Sequence, residues 1–186
     1  MQHWGMLNRR KRRHCRKVFE IYPSVNAQLE DIYEPIGKLV VRFQNLELFM
    51  NLLLIDLLKQ DYDTGFCITS EMSFSRLVAS LVTVAEVRIK DVTLVDEMRK
   101  VAGLLNTCEG ARNKVIHSRY ALSNDGKPKR AKITAKQRNG LRKAIHDVTV
   151  QEICEHIKEV EVATMQIDAL GCKLKARGII SSAYFN

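Results

Sequence analysis

The sequence predicts an all-α fold, an antiparallel up-and-down bundle of four main helices. Apolar residues recur at spacings of three and four over long stretches, the signature of amphipathic helices. Aromatic residues make up 6% of the chain and proline occurs three times in 186 residues, which leans away from a sandwich of short strands. The links between the periodic stretches are short, as antiparallel neighbours require. A hydrophobic fraction of 46% and a charged fraction of 27% suit a folded chain. The length fits one domain with a sizeable core, or one domain plus appendages.

Residues 1–22 read as a basic N-terminal arm. Arg9, Arg10, Lys11, Arg12, Arg13, Arg16 and Lys17 repel one another and have little apolar company, so disorder is expected. The alternative is a start at Met6 or later, with no role for the arm. The helical domain is placed at 23–178 and a C-terminal tail at 179–186. The first helix is expected from about Asn26 to Lys59, with Pro35 kinking or restarting it. Its apolar face runs Leu29, Ile32, Ile36, Val40, Phe43, Met50, Leu54 and Leu57, with Glu47 in the same register. Asp61 to Ser70 reads as a loop. The second helix, near Ser73 to Lys90, faces the core with Phe74, Leu77, Leu81, Ala85 and Ile89. The third runs from about Thr93 to Tyr120 along Leu94, Met98, Val101, Leu105, Cys108, Arg112 and Val115. Asn124-Asp125-Gly126 makes a turn, with room for a short hairpin or ordered loop before the fourth helix. That helix opens on a capping box, Thr149 with Glu152, and ends at Gly178. No internal repeat is present.

A net charge of +9 and a pI near 9.4 favour an anionic partner, nucleic acid before an acidic membrane surface. The cysteines (Cys15, Cys67, Cys108, Cys154, Cys172) are scattered and odd in number, with no Cys-x-x-Cys pair, which suggests reduced thiols and a cytoplasmic protein. No secretory signal is convincing: the basic run is followed by Glu20 and Pro23 rather than by a long apolar stretch. Leu46 to Leu58 is too short and too interrupted to span a bilayer, so no membrane association is expected.

Candidate functional residues gather on the third helix. Arg112 falls on its apolar seam, where a permanent charge is costly unless it is paired. Glu47, in the seam of the first helix, is the expected partner, with Glu109 as a rival one turn before Arg112. Such a pair serves either a site or the register of the helices. Gly103, Asn106, Gly110, Asn113 and His117 form a stripe of small or polar residues. Each glycine costs roughly 1 kcal/mol relative to alanine, so a close approach is expected, by a second subunit's helix or by another helix of the same monomer. Asn113 and His117 are four apart, so the amide can orient the imidazole. A histidine beside an arginine joins a base titrating near neutral pH to a fixed fork of donors, a combination suited to phosphate chemistry.

Spacing alone is weak, since an Arg followed four to six residues later by His arises about once by chance in so basic a chain. Arg9 and His14 supply such a decoy. What distinguishes Arg112–His117 is the Arg-Asn dipeptide, the amphipathic helix before it, and the His-Ser-x-Tyr exit to Tyr120. The stretch Arg112-Asn113-Lys114-Val115-Ile116-His117-Ser118-Arg119-Tyr120 resembles the signature of the HEPN superfamily (higher eukaryotes and prokaryotes nucleotide-binding domain), and the resemblance extends over roughly Leu29 to Leu174. It implies a homodimeric, metal-independent ribonuclease in which Arg and His of both protomers meet in one cleft, serving as a toxin or in antiviral defence. Some members are non-catalytic binding domains. The toxin subgroup paired with a nucleotidyltransferase antitoxin has Tyr two residues after His. Here Arg119 fills that place and Tyr120 follows, a departure from the subgroup.

On this reading Arg112, Asn113 and His117 are catalytic, and Glu47, Glu109 and Tyr120 support them. His117 takes the proton of a ribose 2′-hydroxyl. Arg112 stabilises charge growing on the phosphate oxygens, a contribution of about 3–4 kcal/mol for a well-placed donor. Asn113 orients the imidazole or the phosphate. The products are a 2′,3′-cyclic phosphate and a 5′-hydroxyl, and no metal or other cofactor is needed. Lys127, Lys129, Arg130, Lys132, Lys136 and Arg138, with Arg142 and Lys143 beyond, are expected to contact RNA phosphates at the cleft's edge; the alternative is a solvated loop. His146 and His156 are expected at surface or capping positions. Partners are RNA, a second copy of the chain, and an antitoxin or regulatory protein. The competing reading is a non-catalytic helical module that binds RNA, a nucleotide or a protein, with Arg112 serving architecture.

Overall fold

A computed structural model describes residues 23–136 and 140–185 of the chain. Five helices carry most of these residues: α1 (Pro23–Leu58), α2 (Tyr62–Thr69), α3 (Phe74–Arg88), α4 (Val92–Ile116) and α5 (Val150–Ala176). Between α4 and α5 lies an antiparallel sheet of β1 (Arg119–Leu122), β2 (Pro128–Lys136) and β3 (Gly140–Asp147), in that order. The fold is therefore mostly helical, as the sequence predicts, and where a short hairpin or ordered loop was allowed for between the last two long helices there is a small three-stranded sheet.

Two compact units are formed. One comprises the described residues up to Glu34 with Ser118–Val150, and the other comprises Pro35–His117 with the described residues from Gln151. The second unit holds most of the apolar core. Leu39, Phe43, Leu46, Met50, Leu53 and Leu57 are buried along α1, and Phe74, Leu77, Leu81, Ala85 and Ile89 are buried along and just after α3, as their periodicity predicts. On α4 the line runs Leu94, Met98, Val101, Leu105, Cys108 and Val115, and α5 contributes Ile153, Val160, Ala163, Ile167, Leu170 and Leu174. Ile36 and Val40, expected on the core face of α1, are only half-buried, because the buried line passes through Leu39 and Leu46 instead. α1 continues through Pro35, although a proline forfeits one backbone hydrogen bond.

The ion pairs fix the direction of the helices. Asp91 meets Arg177, and Glu97 meets Lys173 at 2.5 Å, so residue numbers rise along α4 as they fall along α5. The two helices are antiparallel. A short link joins α3 to α4, and Arg99 reaches back to Glu86 at 2.8 Å.

Three local features depart from expectation. Asp61 to Ser70 is a helix, because the Asp61 side chain caps it by accepting from the Thr64 amide at 2.9 Å. Gly65 in that helix is buried where a Cβ would stand 2.5 Å from Ile55. The third predicted helix ends at Ile116, with His117 as its cap, so Tyr120 belongs to β1. The Asn124-Asp125-Gly126 turn does form: the Ser123 amide donates to the Lys127 carbonyl at 2.9 Å, and Gly126 takes φ 78°. It closes a hairpin whose second strand pairs again with β3.

The segment after Gly178 is anchored. Phe185 is fully buried, its ring is 6.2 Å from that of Phe49, and its carbonyl accepts from Lys175 Nζ at 2.7 Å. Gly171 leaves room for it, since a Cβ there would stand 2.5 Å from the ring's Cγ. Replacing Phe185 with alanine is expected to lower unfolding free energy by about 3–5 kcal/mol, read from urea denaturation. A loss below about 1 kcal/mol would show the ring is not part of the core.

Candidate functional site

Arg112 lies one turn from the exit of α4, where the buried line runs through Cys108, Ala111 and Val115. Its side chain is half-buried at the edge of that line. The guanidinium carbon stands 5.4 Å from the centroid of the Phe43 ring, and Nη1 donates to Asn113 Oδ1 at 2.9 Å. Phe43 is itself buried and packs on Phe74 with ring centroids 4.6 Å apart. A cation over an aromatic face is attracted by the ring quadrupole, by about 0.5–2 kcal/mol depending on desolvation.

The expected Glu47–Arg112 pair is not formed. Among the described residues neither Glu47 nor Glu109 makes an ion pair with Arg112, and both carboxylates are half-exposed. Glu47 sits one turn beyond Phe43 on α1, on the flank of the buried face rather than in it. The aromatic ring has taken the place foreseen for the carboxylate. Among the described residues no carboxylate offsets the Arg112 charge.

His117 is exposed at the end of α4, and its backbone amide donates to the Asn113 carbonyl at 3.3 Å. No side-chain hydrogen bond joins Asn113 to the imidazole. The Asn113 oxygen is instead engaged by Arg112, so the amide steadies the cation rather than the base. Arg112 and His117 are five residues apart, about 7.5 Å along the helix axis. One end of α4 therefore presents a fixed guanidinium, a carboxamide and a solvent-facing imidazole.

The stripe of small residues is open. Gly103, Asn106 and Gly110 are exposed, and a Cβ at either glycine would have nothing within 4 Å. Packing by another helix of the same monomer, one of the two explanations for these glycines, is therefore overturned among the described residues. Cys108 is fully buried one turn before Arg112, and burial, reinforced by the Glu159 carboxylate, pushes its thiol up to about 11.

The basic segment forms the hairpin and sheet of the other unit. Lys129 is paired with Asp147, which holds its ammonium above the ordinary range, and Lys127 is paired with Asp125 at 3.3 Å. Arg130 is half-buried, Lys132 is exposed, and Tyr120 on β1 is half-buried. Lys136 ends β2, while Arg138 and the arm at 1–22 lie outside the described residues. A solvated loop is excluded for most of this segment, which is paired strand. His146 is exposed on β3. His156 is half-buried on α5, with Nδ1 3.1 Å from Glu159 and Nε2 3.9 Å from Glu152. Sequence reasoning gave that second histidine no such neighbours, although Glu152 and Glu159 stand one helical turn to either side of it.

Among the described residues no helix is long and apolar enough to cross a membrane, and no group of three His, Cys, Asp or Glu side chains could hold a metal ion. No family model, curated protein or solved structure matches this chain.

Two outcomes follow from this geometry. A double-mutant cycle of Phe43→Leu and Arg112→Met should give a coupling free energy of about 0.5–2 kcal/mol in urea denaturation; a coupling of zero would mean that the ring and the cation act independently. Iodoacetamide at mildly alkaline pH should alkylate exposed Cys67 well before Cys108, because the thiolate is the nucleophile and burial disfavours it. Peptide mass mapping reads the order, and equal rates would contradict the buried placement of Cys108.

Proposed function

We propose that this chain is a metal-independent endoribonuclease of HEPN type that acts as a homodimer, with its helices in the up-and-down arrangement of that superfamily. The observation that carries the reading is the Arg112 guanidinium, half-buried over Phe43 with no carboxylate partner among the described residues, one turn before an exposed histidine. A cation already neutralised by Glu47 would have to shed that partner to receive a phosphate. Among the described residues Arg112 has none to shed. Its position is fixed by the ring and by Asn113, which limits the reorganisation needed when charge develops on a phosphate.

In this mechanism His117 removes the proton from the ribose 2′-hydroxyl, and the oxygen attacks the adjacent phosphorus as the P–O5′ bond breaks. The proton that restores the 5′-hydroxyl comes from a second acid, for which the facing protomer's imidazole is available in a dimer. The open glycine stripe on α4 supports that dimer, since it gives a partner helix close access to the backbone. Arg112 carries the charge on the non-bridging oxygens. The basic hairpin holds RNA by its phosphates, and growth inhibition restrained by an antitoxin or regulatory protein is the biological role that accords with such an activity.

A second reading is favoured by one observation. Asn113 supports Arg112 rather than His117, as it would in a binding module whose arginine serves architecture. Incubation with total RNA in EDTA separates the two. The wild type should yield 2′,3′-cyclic phosphate ends, with Arg112→Ala and His117→Ala each slower by about a hundredfold or more. An inactive wild type, or mutants as active as it, would leave the binding module as the account.

A further inference from the structure

The last turns of α1 and α5 open onto one cavity. Lys59, just past α1, takes φ 59°, and Gly178, two residues past α5, takes φ 65°. Each left-handed residue turns the chain back on its helix: the Gln60 amide donates to the Ile55 carbonyl at 3.3 Å, and the Ile179 amide to the Leu174 carbonyl at 3.0 Å. The cavity, of about 360 Å³, is lined by Asp56, Lys59, Gln60 and Asp61 and by the turn from Gly178 to Ser181. Helix C-termini carry partial negative charge, which favours cations nearby. The last turn of α1 holds no basic residue, and Asp56 stands in it instead.

Asp56 is the anomaly. It is half-buried, and its Oδ1 accepts from the Tyr62 hydroxyl at 3.1 Å. Its Oδ2 is shielded from solvent and has no hydrogen-bond partner among the described residues. An acid at a helix C-terminus opposes the dipole, and a shielded acceptor left unpaired is costly. Neighbouring cations do not answer it. Lys173 is held by Glu97, Lys175 by the Phe185 carbonyl and Arg177 by Asp91, and among the described residues Lys59 makes no ion pair. Asp61 adds a second charge, since the bond from the Thr64 amide holds its carboxyl below the usual range.

We infer that this cavity binds a small organic amine, with Asp56 and Asp61 accepting from its ammonium and the ends of α1 and α5 favouring its charge. A primary ammonium brings three donors on a compact charge. The volume lies at the small end of the range for ligand pockets, about 300–1,000 Å³, and Ile179 and Ile180 offer apolar surface to a short carbon chain. With two carboxylates and no third acidic, histidine or cysteine residue in its lining, the cavity suits an ammonium better than a bare metal ion. The inference is independent of the ribonuclease reading. Asp91, at the start of α4, meets Arg177 beside the cavity, whereas His117 caps the opposite end of that helix.

The test is isothermal titration of the full chain with putrescine, a four-carbon diamine. Saturable binding at one site is expected, and 1,4-butanediol, of the same length without charge, should not compete. Asp56→Asn should weaken binding about tenfold or more. Because asparagine keeps an acceptor for Tyr62 and removes an unfavourable charge, the unliganded thermal midpoint should hold or rise. Asp61→Asn, which keeps the cap of α2, should weaken binding by about two- to fivefold, and Lys59→Gln should strengthen it by a similar factor. Asp96→Asn, removing the same charge from α4 away from the cavity, should leave affinity unchanged. Tighter binding of Nα-acetyl-lysine methylamide than of putrescine would give the ammonium to a protein's lysine, and the reverse order to a free amine. No saturable binding of either below about 1 mM, or magnesium competing as well as the amine, would overturn the site. A lowered midpoint for Asp56→Asn with affinity unchanged would assign Asp56 to architecture and overturn it too.

Discussion

A guanidinium that cannot lose its proton rests half-buried on the face of Phe43. That contact joins α4 to α1, and through the Phe43–Phe74 stack to α3. Burial of a charge is normally offset by an opposite charge. Here the ring quadrupole and one side-chain amide do so in part, leaving the net charge intact. An ion pair would have secured the cation equally well and cancelled the property that recommends it as an anion receptor. The choice of an aromatic partner is thus where packing and chemistry meet in this molecule.

Most of the helical core was legible in the sequence, because burial on one face imposes a period of 3.6 residues that survives any change of partner. The line along α3 was legible residue by residue, and that along α4 except at Arg112, where Ala111 holds the buried place. What local pattern could not reveal is which side chain across the core meets a given residue. Glu47 shares the register of Phe43, yet the aromatic, one turn earlier, received Arg112. The same blindness hid the anchoring of Phe185, since the Tyr184-Phe185 pair belongs to no periodic run and the room for the ring is made by Gly171 in another element. Of the sheet, only the hairpin turn at Asn124-Asp125-Gly126 was legible, for another reason. Ala131, Ile133 and Ala135 alternate with polar residues, but the abundance of lysine and arginine in β2 and β3 concealed a period of two behind the signature of a solvated loop.

The candidate site was partly legible in the same sense. Arg112, Asn113 and His117 stand at one end of one helix, as spacing alone required. Their mutual bonding does not follow from spacing: Asn113 is four residues from His117 and still turns its oxygen to Arg112, its immediate neighbour. The bond to the guanidinium is charge-assisted, which strengthens it. The imidazole is left facing solvent, with nothing from its own helix to fix its tautomer. On the proposed account that service falls to the substrate or to a second copy of the chain. The exposed glycines earlier on α4, each a cost to helix stability without a neighbour to justify it, fit the latter.

The account comes down to whether Arg112 and His117 confront the same phosphate. A crystal structure of the protein with an RNA carrying a 2′-deoxy substitution at the cleavage position, and so lacking the attacking hydroxyl, addresses this directly. The account predicts a phosphate oxygen within hydrogen-bond reach of the Arg112 guanidinium, about 2.6–3.2 Å, with the His117 ring turned towards the vacant 2′ position. RNA bound elsewhere, with Arg112 still enclosed by Phe43 and Asn113 and His117 in open solvent, would contradict it.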